Sequence, residues 1–221
     1  MAGQARVEPL PHPVRIDENN LTPFFLKKAF SLLGILPLGV YVILHLYHNN
    51  ASLSGPEAYD RYLVESRSMP FYLTLAVVFV YLPVLFHGVY GLLLIGRSRP
   101  NYPAHSYFRN LKYFLQRLSG IGLLLFIPAH VYKTKIETAL QGRTMDFAHM
   151  SEGMHEWLTF AVYVLGITGV AFHLANGVWS FMYSWGISPG PQSQRRWEIA
   201  SIFLFLIILA LGFSAIGGLL R

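Results

Sequence analysis

The chain has 221 residues and is too apolar for a water-exposed globule, since 53% of the residues are hydrophobic and only 13% are charged. A typical soluble domain carries about 25% charged residues. The formal charge of +6 is accounted for by basic loops beside membrane helices, so we predict no nucleic-acid binding. The chain has no cysteine, which excludes disulfides, c-type haem attachment and cysteine-ligated iron–sulfur clusters within it. The first 26 residues lack an apolar core, so we expect no cleavable signal peptide.

Five apolar stretches are long enough to cross a membrane. A helix needs about 20 apolar residues to span a hydrocarbon layer about 30 Å thick, and uninterrupted apolar runs favour helices over the alternating strands of a barrel. We predict an all-α membrane protein, a bundle of five transmembrane helices. It forms a single domain over residues 28–221, after an N-terminal tail at 1–27. The predicted helices lie at about 28–47, 70–95, 113–132, 157–185 and 199–220.

The distribution of basic residues predicts the orientation. Eleven of the 17 lysines and arginines would lie on the side of the N-terminus if each stretch crosses the membrane. Cytoplasmic loops carry the excess of Lys and Arg, so we predict a cytoplasmic N-terminus and an outside C-terminus. The longest loop, about residues 133–156, is too short for a soluble catalytic domain.

The first four predicted helices each contain one histidine, and the fifth contains none. These histidines are spaced 42, 43 and 43 residues apart, so each interval covers one crossing and one turn. An ionisable residue inside a membrane helix is energetically costly and indicates function. The four are His45, His87, His130 and His173.

The depth of these histidines predicts two pairs. At a rise of about 1.5 Å per residue, His45 and His130 lie towards the outer side, and His87 and His173 lie towards the inner side. The two layers are on the order of 15–20 Å apart. Haem iron takes two axial ligands, often imidazoles, so each layer predicts one haem. Zinc would need about four ligands, and no Cys, Asp or Glu lies at matching depths. Two alternatives remain, namely histidines that are hydrogen-bonded across helices and proton relays in a transporter.

Haem propionates need cationic or hydrogen-bonding partners, and several interfacial residues could supply them. Each of these residues can also lie at a membrane surface without any haem. The remaining histidines lie in tails or loops and are expected to be solvated: His12, His105, His149 and His155. The inner propionate candidates are Gln116, Arg117, Asn176, Tyr183 and Trp185, and the outer candidates are Tyr47, His48 and Lys133.

Blocks of sequence around these histidines resemble a known family, the succinate dehydrogenase cytochrome b subunit of the single-subunit, five-helix, two-haem class. The resemblance covers nearly the whole chain, and the LQR–SGI and FH–NG–WSF–WGI blocks are specific to it. The segments that carry it are SLLGILPLGVYVILHL (31–46), FHGVYG (86–91), RNLKYFLQRLSGI (109–121), AHVYKTKI (129–136) and FHLANGVWSFMYSWGI followed by PQSQR (172–195).

The resemblance implies two haem b groups, with ligands paired between the first and third helices and between the second and fourth. These positions are His45 with His130 (outer haem) and His87 with His173 (inner haem). It also implies a flavoprotein subunit and an iron–sulfur subunit on the cytoplasmic face of a bacterial cytoplasmic membrane. The basic loop at 97–117 could form part of their docking surface. A higher oligomer of the complex is compatible with the family.

The resemblance implies an electron-transfer function without catalysis by this chain itself. Electrons from succinate would pass from the iron–sulfur subunit through the inner and outer haems to a membrane quinone, expected to be menaquinone. An inner quinone site beside the iron–sulfur subunit is the alternative to an outer one. The outer candidates are His48, Asn49, Glu57, Lys133 and His155.

Two positions depart from the family pattern. Phe30 stands where the family often has a histidine, and Ala171 stands where related fumarate reductases can carry a proton-transferring glutamate. The second departure favours succinate oxidation. The alternatives are a fumarate reductase cytochrome b working in reverse, and the cytochrome b of another quinone-linked dehydrogenase, such as a formate dehydrogenase or hydrogenase.

Overall fold

A computed structural model describes residues 18–97 and 108–221, and within these residues there is no β-strand. In the same part of the chain, five helical stretches are long and apolar enough to cross a membrane. The predictions of an all-α fold and of five spanning helices are therefore confirmed. The first to fifth spans are Pro23–Ser54, Tyr72–Gly96, Phe108–Leu140, Trp157–Ser184 and Pro191–Leu219.

Consecutive spans run in opposite directions, so their ends lie on two faces. We call the face that contains Pro23, the start of the first span, the N-side, and the face that contains Leu219 the C-side. The outward surfaces of all five spans carry large exposed apolar side chains, which is the arrangement that lipid requires. The chain is therefore a multi-pass membrane protein. Examples of these side chains are Leu44, Phe79, Leu125, Leu165 and Phe203.

The first span consists of two helices that meet at a proline. Helix α1 is Glu18–Ile35 and α2 is Pro37–Asn49, followed by a 3-10 turn at Asn50–Ser54. Pro37 begins α2 because its ring nitrogen has no hydrogen to donate to the preceding turn. Helix α1 begins well before the predicted start at residue 28, since hydropathy marks only the part of a helix that lies in hydrocarbon. Residues 1–17 of the predicted tail lie outside the described residues.

The second and third spans each contain a wide π turn. The second comprises α4 (Tyr72–Ala76), the π turn Val77–Tyr81 and α5 (Leu82–Gly96). The third comprises α6 (Phe108–Val131), the π turn Tyr132–Ile136 and α7 (Glu137–Leu140). Each turn lies near a proline, Pro83 or Pro128, which removes one backbone donor from the regular hydrogen-bond ladder. The third span continues past the predicted end at residue 132, because the helix extends through Leu140, beyond the apolar stretch.

The C-side is covered by two shorter helices, α3 (Pro56–Ser68) and α8 (Phe147–His155). The carboxylate of Asp60 accepts a hydrogen bond from the backbone N–H of Phe147 at 2.7 Å. Asp146 caps α8 by accepting from the backbone N–H of His149 at 2.9 Å. Tyr59 is 1% exposed and packs in one cluster with Met150 and Met154. Burial raises the pKa of the Tyr59 phenol, so its hydroxyl stays protonated.

The centre of the bundle is α9 (Trp157–Ser184), which packs against α10 (Pro191–Leu219), α6 and α1. Ala171 is fully buried with Leu174 and the α10 residue Ile208. Small residues such as alanine let membrane helices approach closely. Helix α9 therefore has an interior position from which its side chains reach both the first and the third span.

Candidate functional site

The structure places the four membrane histidines in two pairs. The ring centroids of His45 on α2 and His130 on α6 are 5.8 Å apart, with ring planes at 84°. Those of His87 on α5 and His173 on α9 are 6.1 Å apart, with ring planes at 83°. The first pair lies in the C-side half of its spans and the second in the N-side half. Each histidine thus lies beside the partner that its depth suggested.

The separation of the rings suits one metal ion between each pair. A metal–imidazole nitrogen bond is about 2.0 Å long and the nitrogen lies about 1.2 Å from the ring centre, so two imidazoles on opposite sides of an ion have centroids about 6.4 Å apart. The observed separations of 5.8 and 6.1 Å are close to this value. Within the described residues no group of three or more His, Cys, Asp or Glu side chains could hold a metal. The pairs therefore fit haem iron better than zinc.

Backbone carbonyls hold the two histidines of the N-side pair. Nδ1 of His87 lies 3.0 Å from the carbonyl oxygen of Phe30. Nδ1 of His173 lies 3.2 Å from the carbonyl oxygen of Gln116 and also 3.2 Å from Oγ of Ser119. A histidine whose Nδ1–H donates to such an acceptor presents the lone pair of Nε2 for coordination. Sequence analysis did not identify Ser119.

Phe30 and Gly34 shape the surroundings of His87. The Phe30 ring stacks on the imidazole, with centroids 4.2 Å apart and planes at 10°. Gly34 follows one turn later, and a Cβ atom there would lie 2.6 Å from Cε1 of His87. Only a residue without a side chain lets the imidazole approach this part of α1. In the sequence, Phe30 stood out only as a departure from the family pattern. Nothing in that pattern indicated that its ring stacks on His87.

In the C-side pair, a tyrosine side chain holds one histidine. The hydroxyl of Tyr163 on α9 lies 3.1 Å from Nδ1 of His130. His45 stacks on Tyr41 with centroids 5.3 Å apart. Its carbonyl oxygen accepts from Nδ2 of Asn49 at 2.6 Å. Sequence analysis missed Tyr163, although its position at the depth of His130 on the adjacent span was a usable signal.

The inner candidates Gln116 and Asn176 support the N-side pair. Nε2 of Gln116 donates to the carbonyl oxygen of His173 at 3.1 Å. Nδ2 of Asn176, which is 7% exposed, donates to Oε1 of Gln116 at 2.8 Å. Both side chains therefore form hydrogen bonds next to His173.

The other inner candidates lie closer to the N-side surface. Arg117 is half-buried and donates to the hydroxyl of Tyr113. Tyr183 is exposed, and Nε1 of Trp185 donates to Oγ of Ser31 at 2.9 Å. These contacts are those of interfacial residues, and they neither require a propionate nor prevent one from binding nearby.

The outer candidates are dispersed around the C-side. His48 stacks on Tyr62 of α3 with centroids 4.6 Å apart. Nζ of Lys133 lies 3.2 Å from Oε2 of Glu137 and forms an ion pair with it. Asn49 is the last residue of α2, and its Oδ1 accepts from the hydroxyl of Tyr59 on α3 at 3.4 Å. The remaining outer candidates are exposed: Tyr47, Glu57 and His155.

The expectation that His149 is solvated is wrong, since this side chain is 3% exposed. Nη2 of Arg143 donates to its Nδ1 at 3.0 Å, and its Nε2 donates to the carbonyl oxygen of Lys133 at 3.0 Å. The loop was expected to be open, but α8 folds back on the third span and encloses the imidazole. His155 is exposed as predicted. His12 and His105 lie outside the described residues.

Fold and site together define a multi-pass membrane protein with paired histidines at two depths. Residues 97–213 match the model of a family described as the succinate dehydrogenase/fumarate reductase transmembrane subunit. The chain is also 33% identical over 193 residues to the succinate dehydrogenase cytochrome b558 subunit of Bacillus subtilis (strain 168), a match that covers 87% of this chain and 95% of the relative. The chain belongs to the succinate dehydrogenase/fumarate reductase transmembrane subunit family. It is a membrane subunit of an oxidoreductase complex, and the resemblance found in the sequence is confirmed.

Proposed function

We propose that this chain is the two-haem cytochrome b anchor of a bacterial succinate dehydrogenase. One haem b would be held between His45 and His130, and the other between His87 and His173. The observation that carries the proposal is the ring separation of 5.8 and 6.1 Å within each pair, which matches two imidazoles on opposite sides of one ion. The printed name of the Bacillus subtilis relative, a cytochrome b558 subunit, supports haem b as the cofactor.

The protein residues fix the ligands and exclude water. The backbone carbonyls of Phe30 and Gln116 accept hydrogen bonds from Nδ1–H of His87 and His173, which sets their tautomer and ring orientation. The Tyr163 hydroxyl lies within hydrogen-bond distance of Nδ1 of His130 and orients that ring. Lipid-facing apolar side chains surround both pairs and keep the interior poor in water. When bound, the haems supply one-electron carriers, and the protein contributes orientation and electrostatic tuning.

The N-side is proposed to face the cytoplasm and to dock the flavoprotein and iron–sulfur subunits. The excess of basic residues on this side supports the orientation. The C-side is covered by α3 and α8 of this chain, whereas the described N-side residues include no comparable covering helix. A partner surface is therefore available on the N-side. The quinone, proposed to be menaquinone, would react near the C-side pair, beside His48 and Asn49.

Succinate oxidation is the proposed direction. Ala171 is fully buried against Leu174 and Ile208, so an apolar contact occupies the place where related fumarate reductases can carry a glutamate. In this chain that position provides no carboxylate to move a proton between the two histidine pairs.

Haem analysis of the purified complex tests the proposal. We expect pyridine haemochrome assays to give two haem b groups per chain. His45→Ala and His130→Ala should each abolish the same haem, and His87→Ala and His173→Ala the other. His155→Ala, at an exposed histidine, is the matched control and should keep both. The measurements are the haem content and the dithionite-reduced difference spectrum.

A different haem content would contradict the proposal. A wild-type complex without haem would show that the histidines serve packing or proton relay. One haem per chain would show that one pair is misassigned.

The same preparation identifies the partner, since a flavoprotein with covalent flavin should co-purify. A formate dehydrogenase or hydrogenase subunit in its place would assign the cytochrome to another complex.

A further inference from the structure

Tyr163 is a buried hydroxyl-bearing residue that lies directly against a proposed haem ligand. The side chain is 9% exposed, and its hydroxyl lies 3.1 Å from Nδ1 of His130. Phe126 packs against both residues, edge-to-face with Tyr163 at 5.6 Å and stacked with His130 at 5.7 Å. The phenol is therefore held firmly in place beside the imidazole.

The N-side pair is supported in a different way. Nδ1 of His87 and Nδ1 of His173 each lie within hydrogen-bond distance of a backbone carbonyl, that of Phe30 or that of Gln116. A substitution leaves a backbone carbonyl in place, so these two contacts do not depend on one side chain. The contact of His130 does, because its partner is the side-chain hydroxyl of Tyr163.

We propose that Tyr163 is a positioning residue that orients the ring of His130 through the contact between its hydroxyl and Nδ1 and thereby tunes the reduction potential of the haem held by the C-side pair. This inference rests on the proposed function. If Nε2 of His130 coordinates the haem iron, its Nδ1 would carry the proton and would donate to the Tyr163 oxygen. That hydrogen bond makes the imidazole a stronger electron donor to the metal. Stronger donation stabilises the ferric state more than the ferrous state, which lowers the potential.

Removal of the acceptor should therefore raise the potential of one haem. Tyr163→Phe deletes the hydroxyl and keeps the ring, so packing against Phe126 is preserved. We expect the oxidised-to-reduced ratio of the C-side haem at a fixed potential to change by about threefold to tenfold, which corresponds to ~30 to 60 mV for a one-electron couple. The haem held by His87 and His173 should keep its potential.

The experiment is a spectroelectrochemical titration of the complete detergent-purified complex. His45→Met marks the C-side transition, because a methionine ligand raises the potential of the haem that it binds. Tyr59→Phe is the matched control. It removes a buried hydroxyl on the same side of the molecule, but that hydroxyl donates to Asn49. Haem content is measured for every variant, so an effect on potential is separated from a loss of cofactor.

The expected result is a positive shift in Tyr163→Phe, confined to the transition that His45→Met marks, with two haems retained. Unchanged potentials with two haems present would overturn this inference alone, leaving the two-haem assignment intact. An equal shift in Tyr59→Phe, or loss of the C-side haem in Tyr163→Phe, would also overturn it. A wild-type complex without haem would instead refute the proposed function itself.

Discussion

At the scale of single residues, a histidine in the bundle needs free space beside its ring as well as the right depth in the membrane. Gly34 shows this, since a Cβ atom there would lie 2.6 Å from Cε1 and 3.0 Å from Nδ1 of His87. Both distances are shorter than carbon and nitrogen atoms normally approach without bonding, because van der Waals contact lies at about 3.5–4.0 Å. The imidazole would have to move, and with it the hydrogen bond from Nδ1 to the Phe30 carbonyl.

Gly34→Ala is therefore expected to disturb the N-side haem and leave the C-side haem in place. The expected result is loss of that haem or a change in its absorption and potential. Gly122→Ala is the control, because a Cβ atom there meets nothing within 4 Å. Haem content and the reduced difference spectrum are the measurements. Identical spectra for both variants would show that His87 tolerates the added methyl group. The close approach of His87 to Gly34 would then have no effect on the haem.

At the scale of elements, α8 shows how a loop acquires order. Its first turn is held by two carboxylates, since Asp60 accepts from the backbone N–H of Phe147 and Asp146 accepts from that of His149. The helix then buries Met150 and Met154 against Tyr59 of α3. The cap of the C-side is thus a folded unit with its own apolar cluster, attached to the bundle by α9 and α10.

Asp146→Ala should destabilise this cap. Loss of an aspartate helix cap costs about 1 kcal/mol, so we expect a lower melting temperature of the detergent-purified protein, with faster proteolysis of the segment around α8. Glu152→Ala, at an exposed position of the same helix, is the control and should melt as the wild type does. A melting temperature unchanged in Asp146→Ala would mean that apolar packing alone holds α8.

Much of this architecture was predictable from the sequence, for a physical reason. Long apolar runs have few alternatives in lipid, so the five spans follow from composition, and the spacing of His45, His87, His130 and His173 follows from the thickness of the membrane. The burial of His149 was not predictable, because it depends on how α8 folds back on the third span. The contacts of His87 with Phe30 and Gly34 were missed for a similar reason, since they join residues far apart in sequence through helix packing.

At the scale of the whole molecule, the proposed direction of the bundle in the membrane can be tested by labelling its two faces. The chain contains no cysteine, so a single introduced thiol is the only one in this subunit. Glu57 on the C-side and Arg97 at the N-side end of the second span are both exposed. They provide matched labelling positions on the two faces.

We expect Glu57→Cys to react with a membrane-impermeant maleimide in intact cells. Arg97→Cys should react only after the membrane is opened, and under denaturing conditions if a partner subunit covers it. The measurement is the mass shift of the purified chain. The reverse pattern would place the N-side outside, contradicting the orientation proposed from basic residues and the cytoplasmic docking of the partner subunits.

The third and fourth spans support each other reciprocally. Gln116 on α6 holds His173 of α9, and Tyr163 on α9 holds His130 of α6. A slip of one helix past the other by a single turn, about 5.4 Å, would break the contacts in both halves of the membrane at once. The two histidine pairs therefore share one register. An insertion in either helix between these contacts would change that shared register, so that only one of the two pairs could stay aligned.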